Sequence, residues 1–301
     1  MILGFKSFFI SLIVLIASGI GFLSCTAVNT SERPTFNLKY GKVIVKELFD
    51  VKFHTYIANN TASHIIETNN HLILQDTVQN YAHNMELRHY AESLEKPLNR
   101  IIISHGHIHH WAGLEMFPDV PVYANLETIR EIEEWGDQML KELRKRKGNN
   151  VIPYKKVIVP QNVIKPGEER IDGVLFRFII PPQEFLRGMR YGKRVLFTEL
   201  PEQKAIIHHH LAYIGLHFPP PPISARIEML KQLKAESYNW IMAGHGIPLN
   251  SQFFDRTILY YETAQKLIEE SPDVKTAKDK LMKAYPNYWG GLLDLLLPLH
   301  F

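Results

Sequence analysis

Residues 105 to 110 read His-Gly-His-Ile-His-His, four imidazoles in six positions, directly after the apolar run Ile101-Ile102-Ile103. Imidazole is the commonest neutral ligand for zinc and related ions. His105 and His107 are two apart and point the same way from an extended segment. His110 is adjacent to His109, so a turn can aim it at a second cation. A second histidine turn comes late in the chain, in "WIMAGHGIPL", where His245 stands between Gly244 and Gly246 after another apolar run. Glycine on both sides lets the backbone bend sharply and lets a side chain approach a metal unhindered. Two such turns, far apart in sequence, predict a transition-metal site assembled from distant loops.

The surrounding pattern supplies elements to position them. "NRIIIS" is short, continuously apolar and β-branched, and reads as a buried strand. Strand-like runs precede it in "KVIVKELF", "FHTYIAN" and "SHIIETNNHLILQD", with Asn69-Asn70 as a hairpin turn. Others follow in "VPVYAN", "ERIDGVLFRFII", "KRVLFTELPEQKAIIHHH" and "YNWIMAGHG". Helical spacing marks 79 to 95, which Pro97 ends, then "LETIREIEEWGDQMLKELRKRK", then residues 222 to 237, "RTILYYETAQKLIEE" and "DVKTAKDKLMKAY". Strands cluster in both halves and helices close each half, which predicts an α+β layered domain of two similar halves.

The order of these motifs resembles the metallo-β-lactamase superfamily. A strand followed by His-x-His-x-[Asp]-His, with glycine shortly after, is similar to that family's first metal motif. "AGHG" is similar to its last. "LILQDT" resembles its strand ending in a buried aspartate, here Asp76. "ELPEQKAIIHHHLAYIGLHFPP" resembles the strand-turn-strand that carries a bridging carboxylate. The resemblance covers about residues 45 to 250. It implies a four-layer αββα sandwich and one or two transition-metal ions, with zinc expected and iron, copper or nickel open. It also implies a hydrolase in which a metal-bound hydroxide attacks an ester, lactone, amide, sulfate or phosphate bond of a small-molecule substrate. The metal residues it implies are His105, His107, His109, His110, His210 and His245, with Asp76 holding the first histidine turn from behind.

The chain departs from the family pattern at the carboxylates. His109 stands where the motif has aspartate. His210 falls at the bridging aspartate, with His209 in place of glycine. No histidine precedes "KRVLF", where a middle ligand is expected, and Glu184 is the nearest candidate donor. Neutral donors do not offset the repulsion between two divalent ions, so a single ion becomes more favourable. The affinity series of nitrogen ligands does not select zinc alone. The water-orienting carboxylate is lost, and His109 can act as the catalytic base only where it is not a ligand. In an extended strand His208 and His210 share one face and His209 takes the other, so His209 reads as a satisfied polar residue. His217 reads as a loop residue. His54, His64, His71, His83 and His89 read as structural, and Trp111, Tyr285, Tyr288 and Trp289 as core or pocket wall. The alternative function is a metal-binding module that kept the fold and lost catalysis; a redox iron enzyme of the same fold is a third, against which the two missing carboxylates count.

Bulk properties exclude other classes. The chain has 301 residues, 46% hydrophobic and 22% charged, with a formal charge of +3. That is too small a charge to argue for nucleic acid. The basic run from Lys141 to Lys147 suits a solvated helix C-terminus. No G-x-S-x-G elbow, P-loop or dinucleotide glycine pattern is present. The first 25 residues have the shape of a secretory signal, and "FLSC" resembles a lipoprotein box with Cys25, the only cysteine, at its end. The expected organisation is a signal over 1–25, a tether over 26–44, the metal-binding domain over 45–250 and a helical extension over 251–301 packed on it. The expected location is the periplasm or cell envelope, with the protein held to a membrane by a lipid on Cys25.

Overall fold

The isoleucine run before the first histidine turn is divided between two cores. In the computed structural model, which describes residues 35–182 and 194–301, Ile101 and Ile103 pack into one cluster and Ile102 into another. The same alternation splits Leu72 and Leu74 from Ile73, and Ile65 from Ile66. Successive side chains of a strand leave on opposite faces, so a run that is apolar throughout requires cover on both faces. Helices cover one face of this sheet and a second sheet covers the other.

The first sheet has eight strands in sequence order: β1 (Thr35–Asn37), β2 (Lys42–Leu48), β3 (Val51–Ala58), β4 (Thr61–Glu67), β5 (Leu72–Gln75), β6 (Leu98–Ile103), β7 (Val122–Ala124) and β8 (Asn162–Val163). Pairing is antiparallel from β1 to β5 and parallel from β5 to β8. The second sheet adds β9 (Gly167–Ile171), β10 (Val174–Ile179), β11 (Phe197–Leu200), β12 (Ala205–His208) and β13 (Trp240–Ala243) in the order β13-β12-β11-β10-β9. Its last pair, β12 with β13, is parallel. Phe176, Phe178, Ala205, Ile207, Trp240 and Met242 face the first sheet across the shared core.

Helices form the outer layers. The first sheet carries α1 (Tyr81–Glu92), the single turn α2 (Ile108–Trp111) and α3 (Leu126–Lys147), whose Leu87, Trp111, Ile129, Ile132, Met139, Leu140 and Leu143 complete its outer core. Asn125 caps α3, its side chain accepting from the Thr128 N–H, and four cationic residues close the last turn. On the second sheet lie α4 (Ile223–Ala235) and α5 (Gln252–Glu269); the Phe253 ring of α5 sits 5.2 Å from that of His208. The short helices α6 (Val274–Ala284) and α7 (Leu293–Leu296) follow. The result is the four-layer αββα sandwich that the motif order implies.

One boundary differs from the sequence reading. The sheet begins inside the stretch 26–44 expected as a tether: Thr35–Asn37 pairs with β2, and β2 itself starts at Lys42. Its alternation is short and its apolar content low, which hid it. The segment from 251 opens with α5, an outer layer of the sandwich that places Phe253, Phe254 and Tyr261 in the interior. The two halves are also unequal, with eight strands against five among the described residues. Residues 1–25, Cys25 and Glu184 lie outside the described residues.

Candidate metal centre

Strands that run parallel deliver their C-terminal ends to the same edge, and both sheets do this at one place. β5 leads into Asp76, β6 into the turn Ser104–His107 that precedes α2, β12 into His209 and His210, and β13 into Gly244–Gly246. Backbone bonds tie the edges together. The Ala62 N–H donates to Gly244 O (2.9 Å), Thr61 forms a bridge with His245, and the Leu196 N–H donates to Ser104 O (2.8 Å).

Seven imidazoles meet there. Their ligand atoms form three overlapping triads with members within 4.8 Å of one another: His105–His107–His210, His105–His110–His209 and His109–His110–His245. His105, His110, His209 and His210 are buried, whereas His107, His109 and His245 are partly exposed and form the mouth. Ring centroids are 4.4 Å apart for His105 and His210, 4.5 Å for His105 and His110, and 4.8 Å for His110 and His209.

Hydrogen bonds at the back of the rings fix which nitrogen faces inward. The Ser104 backbone N–H donates to Asp76 Oδ1 (2.8 Å) and its hydroxyl donates to Oδ2 (2.7 Å). That hydroxyl oxygen therefore accepts from His105 Nδ1, 2.8 Å away, which leaves a lone pair on His105 Nε2. His245 Nδ1 donates to Asn60 O (2.8 Å), which leaves the lone pair on its Nε2. A ligating histidine is commonly oriented in this way. His105 Nε2 lies 2.8 Å from His210 Nε2, and His245 Nε2 lies 3.2 Å from His109 Nε2. At each of these contacts the second ring must supply a proton or both lone pairs must face a cation.

Burial favours the neutral form in every ring for which a shift is resolved. Desolvation, followed by the charge of neighbouring rings, pulls His105, His109, His110 and His210 well below the ordinary imidazole range. Burial lowers His245 to about 4. Neutral imidazole is the form that binds metal. Both ring nitrogens of His110 and His209 and the Nδ1 of His210 are buried without hydrogen-bond partners. Buried polar atoms in a native structure are normally satisfied. The donor set, its protonation and its orphaned nitrogens thus fit a transition-metal ion.

Asp76 stands behind this set. Its carboxylate is buried and its backbone is left-handed, with φ +60°. Oδ2 lies 3.1 Å from both His110 Nδ1 and His209 Nε2, a charge contact without hydrogen-bond alignment. None of the triads contains a carboxylate. Two divalent ions about 4 Å apart repel by roughly 16 kcal/mol at an effective dielectric of 20, and neutral donors leave this unopposed.

The second sheet positions its rings by close approach. A Cβ on Gly244 would lie 2.0 Å from His209 Nδ1, so only glycine lets the chain leaving β13 pass beside that ring. His210 is left-handed, with φ +57°. Its N–H donates to the Tyr213 hydroxyl, and the buried Arg226 of α4 donates to the carbonyls of His210, Leu211 and Pro220. On the first sheet, a Cβ at Gly106 would meet the Glu131 carboxylate of α3 at 2.5 Å.

All six histidines expected as ligands are brought together, and Asp76 lies beneath them. His210 occupies a different place from the one expected: it closes a triad with His105 and His107, where a donor from the loop before "KRVLF" was anticipated. His209, read as a satisfied polar residue, is instead buried in a triad with unpartnered ring nitrogens. The strand ends at His208, and the left-handed His210 breaks the alternation that assigned the faces. Of the other histidines, His54 and His64 have hydrogen bonds of their own, and His217 packs among Tyr260, Tyr285 and Tyr288 rather than on an open loop.

Comparison with known proteins agrees with this fold. Residues 57–183 match the model of the metallo-beta-lactamase superfamily. A metallo-beta-lactamase from Pontibacter korlensis superposes with a TM-score of 0.52, covering 76% of this chain and 99% of its own at 13% identity. The chain has the metallo-β-lactamase fold. Enzymes of that name from Hirschia baltica (TM-score 0.51, 17% identity, 72% of this chain and 96% of theirs) and Erythrobacter litoralis (0.53, 14%, 76% and 100%) superpose as well. No curated protein matches the chain. The family resemblance read from the motifs is borne out, on a metallo-hydrolase-like fold whose histidine groups could hold metal.

Proposed function

We propose that the protein is a metal-dependent hydrolase acting on a small-molecule ester, lactone, amide, sulfate or phosphate. The observation that carries this reading is the convergence of seven imidazoles, from turns on both sheets, into triads of metal-ligand spacing. His105, His107, His109, His110, His209, His210 and His245 would hold one or two transition-metal ions, zinc first among them. Such an ion supplies a Lewis acid that polarises the scissile group and acidifies water.

The chain's own residues do the rest. The Asp76–Ser104–His105 relay holds the His105 ring with Nε2 inward, and Asn60 O does the same for His245. His109 is partly exposed at the mouth and is held neutral by burial and by His245. Where it is not a ligand, it would accept a proton from attacking water and return it to the leaving group.

The absence of any carboxylate from the triads favours a second reading, a metal-binding module without turnover. One experiment separates the two. The purified protein is assayed for metal content and for hydrolysis of nitrocefin, a homoserine lactone and p-nitrophenyl esters, sulfates and phosphates. We expect at least one tightly bound transition metal, and turnover of a panel member that His109→Ala lowers by about 10²–10⁴-fold. Full loading without turnover leaves the binding module; metal-free protein removes both.

Export and lipid attachment through Cys25 belong to the same proposal, supported by the sequence of residues 1–25. No helix among the described residues is long and apolar enough to cross a membrane. Incorporation of labelled fatty acid that Cys25→Ala abolishes would support the anchor; unlabelled, soluble protein would end it.

A further inference from the structure

The three triads are not independent. His105 and His110 each belong to two of them. The triads His105–His107–His210 and His109–His110–His245 share no residue and can be filled together. The triad His105–His110–His209 takes one donor from each and so excludes both.

The third triad differs from the others in two respects. Its members are all buried, whereas each of the others includes a partly exposed ring. Its members also all converge on Asp76. His110 and His209 touch Oδ2 at 3.1 Å, and His105 reaches it through the Ser104 hydroxyl. The nitrogens of His110 and His209 are buried without hydrogen-bond partners, as expected for donors waiting on a ligand. His209 stands where the resembling motif has glycine, which cannot ligate through a side chain. The triad is therefore a property of this chain.

We propose that His105, His110 and His209 form a deep site for a single transition-metal ion, alternative to filling of the two mouth triads. Asp76 supplies there the negative charge that an all-imidazole set lacks. Two cations in the mouth triads would share that one carboxylate, through His105 and His110, and repel each other, whereas one deep cation has it behind all three of its rings and no neighbouring cation. With the deep site filled, His109 and His245 stay unligated at the mouth, and His109 is free to move a proton.

The inference rests on the metal-centre reading above, and its test separates the two. The full-length protein and the variants His209→Ala and His107→Ala/His245→Ala are stripped of metal and then titrated with Co²⁺ or Zn²⁺ alone. Stoichiometry is read by elemental analysis, and coordination by the Co²⁺ visible spectrum. One ion is expected per wild-type chain. The mouth double variant keeps that ion and its spectrum, because both substitutions lie outside the deep triad. His209→Ala weakens binding at least tenfold and changes the spectrum, with circular dichroism confirming that it is folded. Two ions on the wild type, or loss of the ion from the mouth double variant, overturns the deep site. Retention by folded His209→Ala with an unchanged spectrum does the same. If His209→Ala does not fold, the mouth double variant decides alone. A wild-type chain that binds no cation overturns the metal centre itself.

Discussion

The rings at the bottom of the centre and those at its mouth are the same chemical group held in different ways. His105 is locked through Ser104 to Asp76, and His110 and His209 touch that same carboxylate. His109 and His245 lean on each other, with one backbone carbonyl behind the pair. Deep rings are thus fixed by a buried charge, and mouth rings by contacts that an incoming ligand can replace. The difference teaches that donor identity alone does not define a metal site. What stands behind each imidazole decides how firmly it can hold an ion, and how readily it can instead move a proton.

The largest test of this contrast removes shared donors. His105→Ala/His110→Ala takes at least one member from every triad, and elemental analysis is expected to find the protein metal-free. Next comes the charge behind the rings. Asp76→Ala leaves the two Ser104 donors without their acceptor and removes the carboxylate behind two imidazoles, and should lower stability by about 1–3 kcal/mol per unsatisfied donor in chemical denaturation. It should also weaken metal binding about 10–100-fold. Equal loss from truncating a mouth contact would erase the distinction.

Acid sharpens the comparison in the metal-free protein. Burial lowers the folded pKa of both His64 and His208 to about 3, against about 6.5 in an unfolded chain. Between those values the unfolded chain binds protons that the folded chain does not. Stability is therefore complete above about pH 6.5 and falls as pH drops toward 3, by about 1.4 kcal/mol per pH unit for each such histidine. Denaturation midpoints at pH 6 and pH 5 measure it, and a flat profile would contradict the burial. The smallest effect is expected from Gly244→Ala. Its Cβ would collide with the His209 ring, costing about 1–3 kcal/mol and displacing a deep donor while the mouth rings stay in place.

Much of this architecture was legible in the sequence, for identifiable reasons. Runs such as Ile101–Ile103 are apolar on both faces and announce an interior sheet, and two glycine-flanked or glycine-containing histidine turns after such runs mark the edge where the sheets meet. His209 was hidden because the alternation rule applies only while the backbone is extended. The chain leaves the strand after His208 and turns at left-handed His210, so His208 faces Phe253 while His209 and His210 enter the centre. The role of His210 as third donor to His105 and His107 was hidden for a related reason: motif spacing assigned it to a bridging position that only three-dimensional distance could revise. β1 was missed because its three residues carry almost no periodic signal.

The backbone bonds from Ala62 to Gly244 and from Leu196 to Ser104 have a consequence for how this protein can vary. Each ties the histidine turn of one sheet to backbone in or beside a strand of the other through peptide groups, which every sequence possesses. Residues between the sheets can therefore change size and shift the spacing deep in the interior while the turns remain aligned at their rim. A chain built on such a seam can rewrite its interior while the rim at which its histidine turns meet stays where it was.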